Sequence, residues 1–183
     1  MDAIKKISTT LPGVFVLEPR VFGDERGFFL ESFNERVFTE LGIEDQFVQD
    51  NHSYSVRNVL RGLHYQIKHA QGKLVRVVMG EILDVAVDVR RSSPTFGGWT
   101  AVRLSGDNKR MMWIPAGFAH GLRVTSEAAH VLYKATDYYS PEDERTVVWN
   151  DPALSIAWEL EGEPTLSAKD KRGVILRDAE TFD

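Results

Sequence analysis

The chain has 183 residues, no cysteine and a formal net charge of -5, enough length for one domain, taken as 1–183, that buries roughly 70% of its unfolded surface without disulfide staples. The acidic balance argues against broad non-specific binding to nucleic acid. No run reaches the ~20 apolar residues of a membrane span, MDAIKKISTTLPGVF lacks the apolar core of a signal peptide, and with no cysteine the expected location is the reducing cytoplasm.

Along the chain, Val14-Phe15-Val16-Leu17 reads as a strand ended by Pro19, and Gly27 to Phe33 as another. NERVFTEL is the strongest helix pattern. Asn34 suits the N-cap, Val37, Phe38 and Leu41 share one face, and Gly42 suits the stop. Strands are expected over 47–54 and 59–66. In KLVRVVMGEILDVAVDVR two apolar runs flank Met79-Gly80-Glu81, a hairpin turn candidate. Val85, Val87 and Val89 there alternate with Asp84, Ala86 and Asp88. Further strands are expected over 99–104, 111–114, 118–124, 131–138 and 147–149. The last 30 or so residues are less regular. About ten short, evenly spaced strands and one helix predict an all-β barrel or jelly roll. No Rossmann or P-loop glycine pattern is present, so no nicotinamide cofactor is expected.

The stretch NVLRGLHYQ, residues 58–66, carries the first chemistry. Alternation puts Leu63 and Tyr65 on one face and Gly62, His64 and Gln66 on the other. If the second face points into a barrel, the interior is polar, as a ligand site would be. Of the five histidines, His52, His64, His69, His120 and His130, two stand out by their surroundings: His64, and His120 closing Pro115-Ala116-Gly117-Phe118-Ala119-His120. This P-x-G-x-x-H resembles the second motif of cupins, small double-sheet β-barrels. The first cupin motif would supply H-x-H, then Glu, then Gly seven residues later. Here Gln66 stands at the second His position, and Lys73 stands seven residues before Gly80 in place of the carboxylate. An ammonium at the metal position repels a cation, so a metal-free cupin-type double-stranded β-helix is expected, with few short helices. A lysine inside a barrel can stabilise charge on a substrate oxygen, and a neutral histidine can remove a proton. On spacing alone Lys73 equally fits a solvated turn, and Tyr133 in VLYKATDYY fits an aromatic core residue.

The blocks LEPRVFGDERGFFLESFN, FVQDNHS, NVLRGLHYQ, QGKLVRV, GEILDVAVDVR, SPTFGGW, WIPAGFAHG, YKATDYYSPEDE and LSAKD occur in order. Through them the chain resembles the dTDP-4-dehydrorhamnose 3,5-epimerases nearly end to end. The resemblance implies cofactor-free and metal-free inversion of C3 and C5 of dTDP-4-dehydro-6-deoxy-glucose. It implies His64 as base, Asp170 as its orienting partner, Tyr133 as the acid on the other face and Lys73 as enolate stabiliser. Arg61 is implied to hold the diphosphate and Tyr139 to stack on the thymine. Arg26, Glu31, Gln49, Asp50, Asn51, His120, Glu144 and Lys169 are implied as further substrate contacts. A homodimer with N-terminal strand exchange is implied as well, with the segment around Arg26 reaching the partner's site. The stretch 152–164 and the C-terminal DKRGVILRDAETFD match no family block. Three other readings stand beside this one: a single-centre epimerase or ketoisomerase of another deoxysugar pathway, a non-catalytic sugar-nucleotide-binding cupin, and a metal-dependent cupin oxygenase, the last disfavoured by Gln66 and Lys73.

Overall fold

A computed structural model describes residues 4–183. Its strands are β1 (Ile4–Ser8), β2 (Phe15–Pro19), β3 (Val21–Asp24), β4 (Gly27–Leu30), β5 (Gln49–Val56), β6 (Leu60–Gln66), β7 (Lys73–Met79), β8 (Glu81–Asp88), β9 (Trp99–Ser105), β10 (Met111–Ile114), β11 (Phe118–Val124), β12 (Ala128–Ala135) and β13 (Glu144–Thr146). Helix α1 spans Glu35–Glu40. Strands β1-β2-β10-β7-β12-β5 form one sheet, β13-β6-β11-β8-β9 a second, and β3-β4 a separate hairpin. All pairings between these strands are antiparallel.

Three apolar layers follow from the alternation of side chains along the strands. Between the sheets lie Val75, Val77, Ile82, Ala86, Leu104, Met112, Val124 and Val131. On the outer face of the second sheet, Leu60, Leu63, Tyr65, Val85 and Val87 meet Leu154, Trp158 and Leu176 of the C-terminal segment. That segment is irregular because it acts as a lid over a sheet face, not as a strand of it. On the outer face of the first sheet, Phe38 of α1 packs with Leu17, Leu74 and Trp113. Asn34 caps α1 by accepting the Val37 N–H, and burial of Phe38 contributes about 1.5–3 kcal/mol. A six-residue helix is not stable by itself; this contact holds it.

The strand and helix expectations hold for most of the chain, with four corrections. The runs on either side of Gly80 do not form a hairpin: β7 lies in the first sheet and β8 in the second. Both runs are rich in apolar residues, so the local pattern did not show whether they pair. Gly80 makes the crossing at φ +80, where an added Cβ would meet the Ala128 carbonyl oxygen at 1.9 Å. The strand expected at 131–138 is Ala128–Ala135, because beyond it the Thr136 hydroxyl accepts the Gly72 N–H and the chain turns away. The strand expected at 147–149 is Glu144–Thr146, set by its ladder with β6; Val147 follows as a bridge to Val174. Strands β1 and β3 were not anticipated, IKKIS because its charges mask the pattern and VFGD because of its glycine.

Candidate active site

The apolar filling stops short of one end of the space between the sheets, where polar side chains line a cavity of about 370 Å³. The second sheet supplies Arg61, His64 and Gln66 from β6 and His120 from β11; the first supplies Gln49, Asn51 and Ser53 from β5, Lys73 from β7 and Tyr133 from β12. Tyr139, Glu144 and Lys169 stand at the mouth. His64 and Tyr133 therefore occupy opposing walls.

A fault in the ladder gathers the β6 residues. Three residues apart, Arg61 and His64 would face opposite ways in a regular strand. The pairing with β11 slips between His120↔His64 and Leu122↔Arg61, so both line the cavity while Leu60 and Leu63 both enter the core behind it. Gly62 makes the slip possible. Its φ is +112, and an added Cβ would lie 2.6 Å from both the Gly121 Cα and the His120 carbonyl oxygen.

His64 Nε2 lies 2.7 Å from Asp170 Oδ1. Asp170 is 2% exposed and also accepts the Gly62 N–H at 3.1 Å and the Ser167 hydroxyl at 2.5 Å. Burial disfavours its charged form, but the hydrogen bonds from His64, Ser167 and Gly62 outweigh it and hold the carboxyl well below the usual carboxylate range. An ionised carboxylate only accepts, so the Nε2 of a neutral His64 carries its proton. Nδ1, with no protein partner among the described residues, is left as the basic atom.

Lys73 is buried. Burial pulls its ammonium down to about 8, partly offset by Glu144. It is therefore a desolvated cation at neutral pH. Burial raises the Tyr133 phenol, with Arg61 lowering it and Glu144 adding to the rise, so Tyr133 keeps its proton at neutral pH. Arg61 is braced by the Ser55 hydroxyl at 2.9–3.0 Å. Glu144 accepts the Lys169 ammonium at 2.7 Å and the Tyr139 hydroxyl at 3.0 Å. Among the described residues no group of three or more His, Cys, Asp or Glu is placed to hold a metal ion.

Most of the expected site residues meet here, and three do not. Asp50 points outward between the inward Gln49 and Asn51, as strand alternation requires, and pairs with Lys134 at 2.9 Å. Glu31 and Arg26 lie away from the cavity of their own chain; Arg26 pairs with Asp24 at the tip of the β3-β4 hairpin. The other three histidines are elsewhere: His52 and His130 pair at 2.9 Å, and His69 contacts Asp137 at 3.2 Å at the rim. Sequence reasoning missed Ser167 and Asp84. Asp84 is fully buried, with Oδ1 2.7 Å from His120 Nε2 and Oδ2 unpaired. Its signal was present: a carboxylate on the inward face of an apolar alternating strand.

A family model described as dTDP-4-dehydrorhamnose 3,5-epimerase matches residues 8–178. A protein of that description from Pseudomonas aeruginosa is 60% identical over 180 residues, covering 98% of this chain and 99% of that one. This chain belongs to the dTDP-4-dehydrorhamnose 3,5-epimerase family. The match spans 152–164, which no motif covered. The crystal structure of the 3,5-epimerase of Legionella pneumophila in complex with dTDP-4-keto-L-rhamnose has a TM-score of 0.95 and 52% identity, covering 97% of this chain and 95% of that one. A 3'-monoepimerase from Streptomyces bikiniensis in complex with dTDP-quinovose is similar at 33% identity and TM-score 0.87, covering 92% of this chain and 86% of that one. The two-sheet barrel is of the cupin type, and the chain is an isomerase of the epimerase class.

Proposed function

We propose that the cavity inverts C3 and C5 of dTDP-4-dehydro-6-deoxy-glucose to give dTDP-4-dehydro-rhamnose, a step of dTDP-rhamnose synthesis. Both carbons flank the C4 ketone, so each C–H is acidified by the same carbonyl. His64 Nδ1 takes the proton, and Asp170 orients the ring and stabilises its charged form. Lys73 stabilises the enolate oxygen from a desolvated position. Tyr133 returns a proton to carbon from the opposite wall, which inverts the centre. Arg61 holds the diphosphate, and Tyr139 stacks on the thymine. Gln49, Asn51, His120, Glu144 and Lys169 contact the substrate. The observation that carries this reading is a base and a proton-bearing phenol on opposing walls, with a buried ammonium in the same cavity.

The reading extends to a cytoplasmic homodimer acting as a single domain over 1–183. The dimer is supported by the β3-β4 hairpin, where Phe28 and Phe29 are 59% and 69% exposed, a large apolar surface to leave in water. Exchange of this hairpin brings Arg26 and Glu31 to the partner's cavity.

The deciding experiment is turnover in deuterated water, with the chelator-treated protein and the sugar followed by NMR. Deuterium at C3 and C5 with both centres inverted is the expected result. Label at one centre makes the enzyme a single-centre epimerase, and no label with tight dTDP binding leaves a binding module.

A further inference from the structure

Gln66 stands where a metal-holding cupin has its second histidine, yet its side chain is spent on the protein's own backbone. It is 3% exposed. Nε2 donates to the His69 carbonyl at 2.7 Å and the Tyr138 carbonyl at 3.1 Å, and Oε1 accepts the Ser140 N–H at 2.9 Å. These three bonds join the loop after β6 to the loop after β12. The residue enclosed by the last two is Tyr139. Its own N–H goes to Gln49 Oε1 at 3.0 Å, and its hydroxyl to Glu144, the cross-strand partner of Gln66. In the loop after β6, His69 sits at φ +49, a left-handed conformation uncommon for a non-glycine residue. Only a carboxamide supplies two donors and one acceptor in this arrangement. A carboxylate brings no donor, and a thioether brings no donor and only a weak acceptor.

We propose that Gln66 is a positioning residue that clamps the Tyr138–Ser140 backbone, so that the Tyr139 ring is held ready at the cavity mouth for the nucleotide base. The proposal rests on the reading of Tyr139 as the stacking face. All three side-chain bonds of Gln66 go to loop backbone and none to His64 or Asp170, so the clamp acts on affinity and not on proton transfer.

The test uses Gln66→Met, of similar volume, and Gln66→Glu. Three measurements are made: dTDP affinity by calorimetry, KM and kcat with the dTDP-sugar, and hydrogen exchange of the Ser140 amide in the free protein. For Q66M, Kd and KM rise on the order of tenfold, the scale of one lost buried hydrogen bond, while kcat stays nearly constant and Ser140 exchanges faster. Q66E is weak at neutral pH, where its carboxylate faces two carbonyls, and regains affinity on acidification, when the protonated acid donates to one of them. Glu144 on β13, His69 and Asp137 on the loops and Asp143 beside Ser140 are common to all three proteins, so wild type supplies the background titration. Unchanged Kd, KM and Ser140 exchange in Q66M overturns the proposal. So does a fall in kcat at constant KM, which would place Gln66 in the chemistry. If Q66M does not fold, the acid recovery of Q66E decides, and its absence counts against the clamp. Failure of wild type to bind dTDP would remove the functional reading, and Ser140 exchange would still judge the clamp.

Discussion

Each side chain at the centre of the cavity owes its state to its burial and its neighbours, and these causes are separable by mutation. In the proposed reaction His64 is the base, with its Nε2 held 2.7 Å from Asp170 Oδ1. His64→Ala removes the base while leaving the dTDP contacts in place. Turnover should fall roughly 10²–10⁴-fold, with dTDP affinity and the thermal midpoint close to wild type. Near-normal turnover would withdraw the assignment. Lys73 is set by burial, which lowers it to about 8. Its charged form is the useful one, and that form is present below the folded value. kcat/KM should therefore hold at neutral pH and fall as pH rises through about 8, and Lys73→Met should remove this alkaline limb along with most of the rate. An alkaline limb that survives in Lys73→Met belongs to another group.

At the scale of an element, the decisive feature is the slip in the β6-β11 ladder. Without it, Arg61 would enter the core layer behind the sheet, a costly place for a guanidinium. The slip depends on Gly62, whose backbone passes against Gly121. Gly62→Ala should destabilise the fold by roughly 2–4 kcal/mol, from the forbidden φ and the clash together. Gly162→Ala is the control: φ is +96 there, but nothing lies within 4 Å of the added Cβ. It should cost only about 1 kcal/mol. Urea midpoints read the difference, and equal losses would show that the close approach to β11 has no weight.

For the whole molecule, the exposed β3-β4 hairpin is the surface that tests the proposed dimer. Phe28→Asp combined with Phe29→Asp should convert a dimer into a monomer in sedimentation, because two charges cannot replace apolar contact at an interface core. If the hairpin is exchanged as proposed, activity should fall with it, because Arg26 and Glu31 would be withdrawn from the partner's cavity. A double variant that remains dimeric and active would send the interface elsewhere. The outer face of β5 and β12, with the His52–His130 pair and exposed Tyr54 and Val56, is the next surface to test.

Much of this protein was legible before any coordinates. The period-two runs specified strands, and the placing of Leu63 and Tyr65 opposite His64 and Gln66 followed from pleating alone. Asn34 and Gly42 bracketed the helix by cap chemistry. The ordered motif blocks carried the family. Other features waited for the tertiary structure, for one reason: they depend on which strand lies beside which. Gly80 turns between sheets and not within one, Asp170 reaches His64 across 106 residues, and Asp84 finds His120 from the adjacent strand. Spacing along a chain reports which face a side chain takes. It holds no record of the partner across the ladder, and it is the partner that sets Asp170 against His64 and Asp84 against His120.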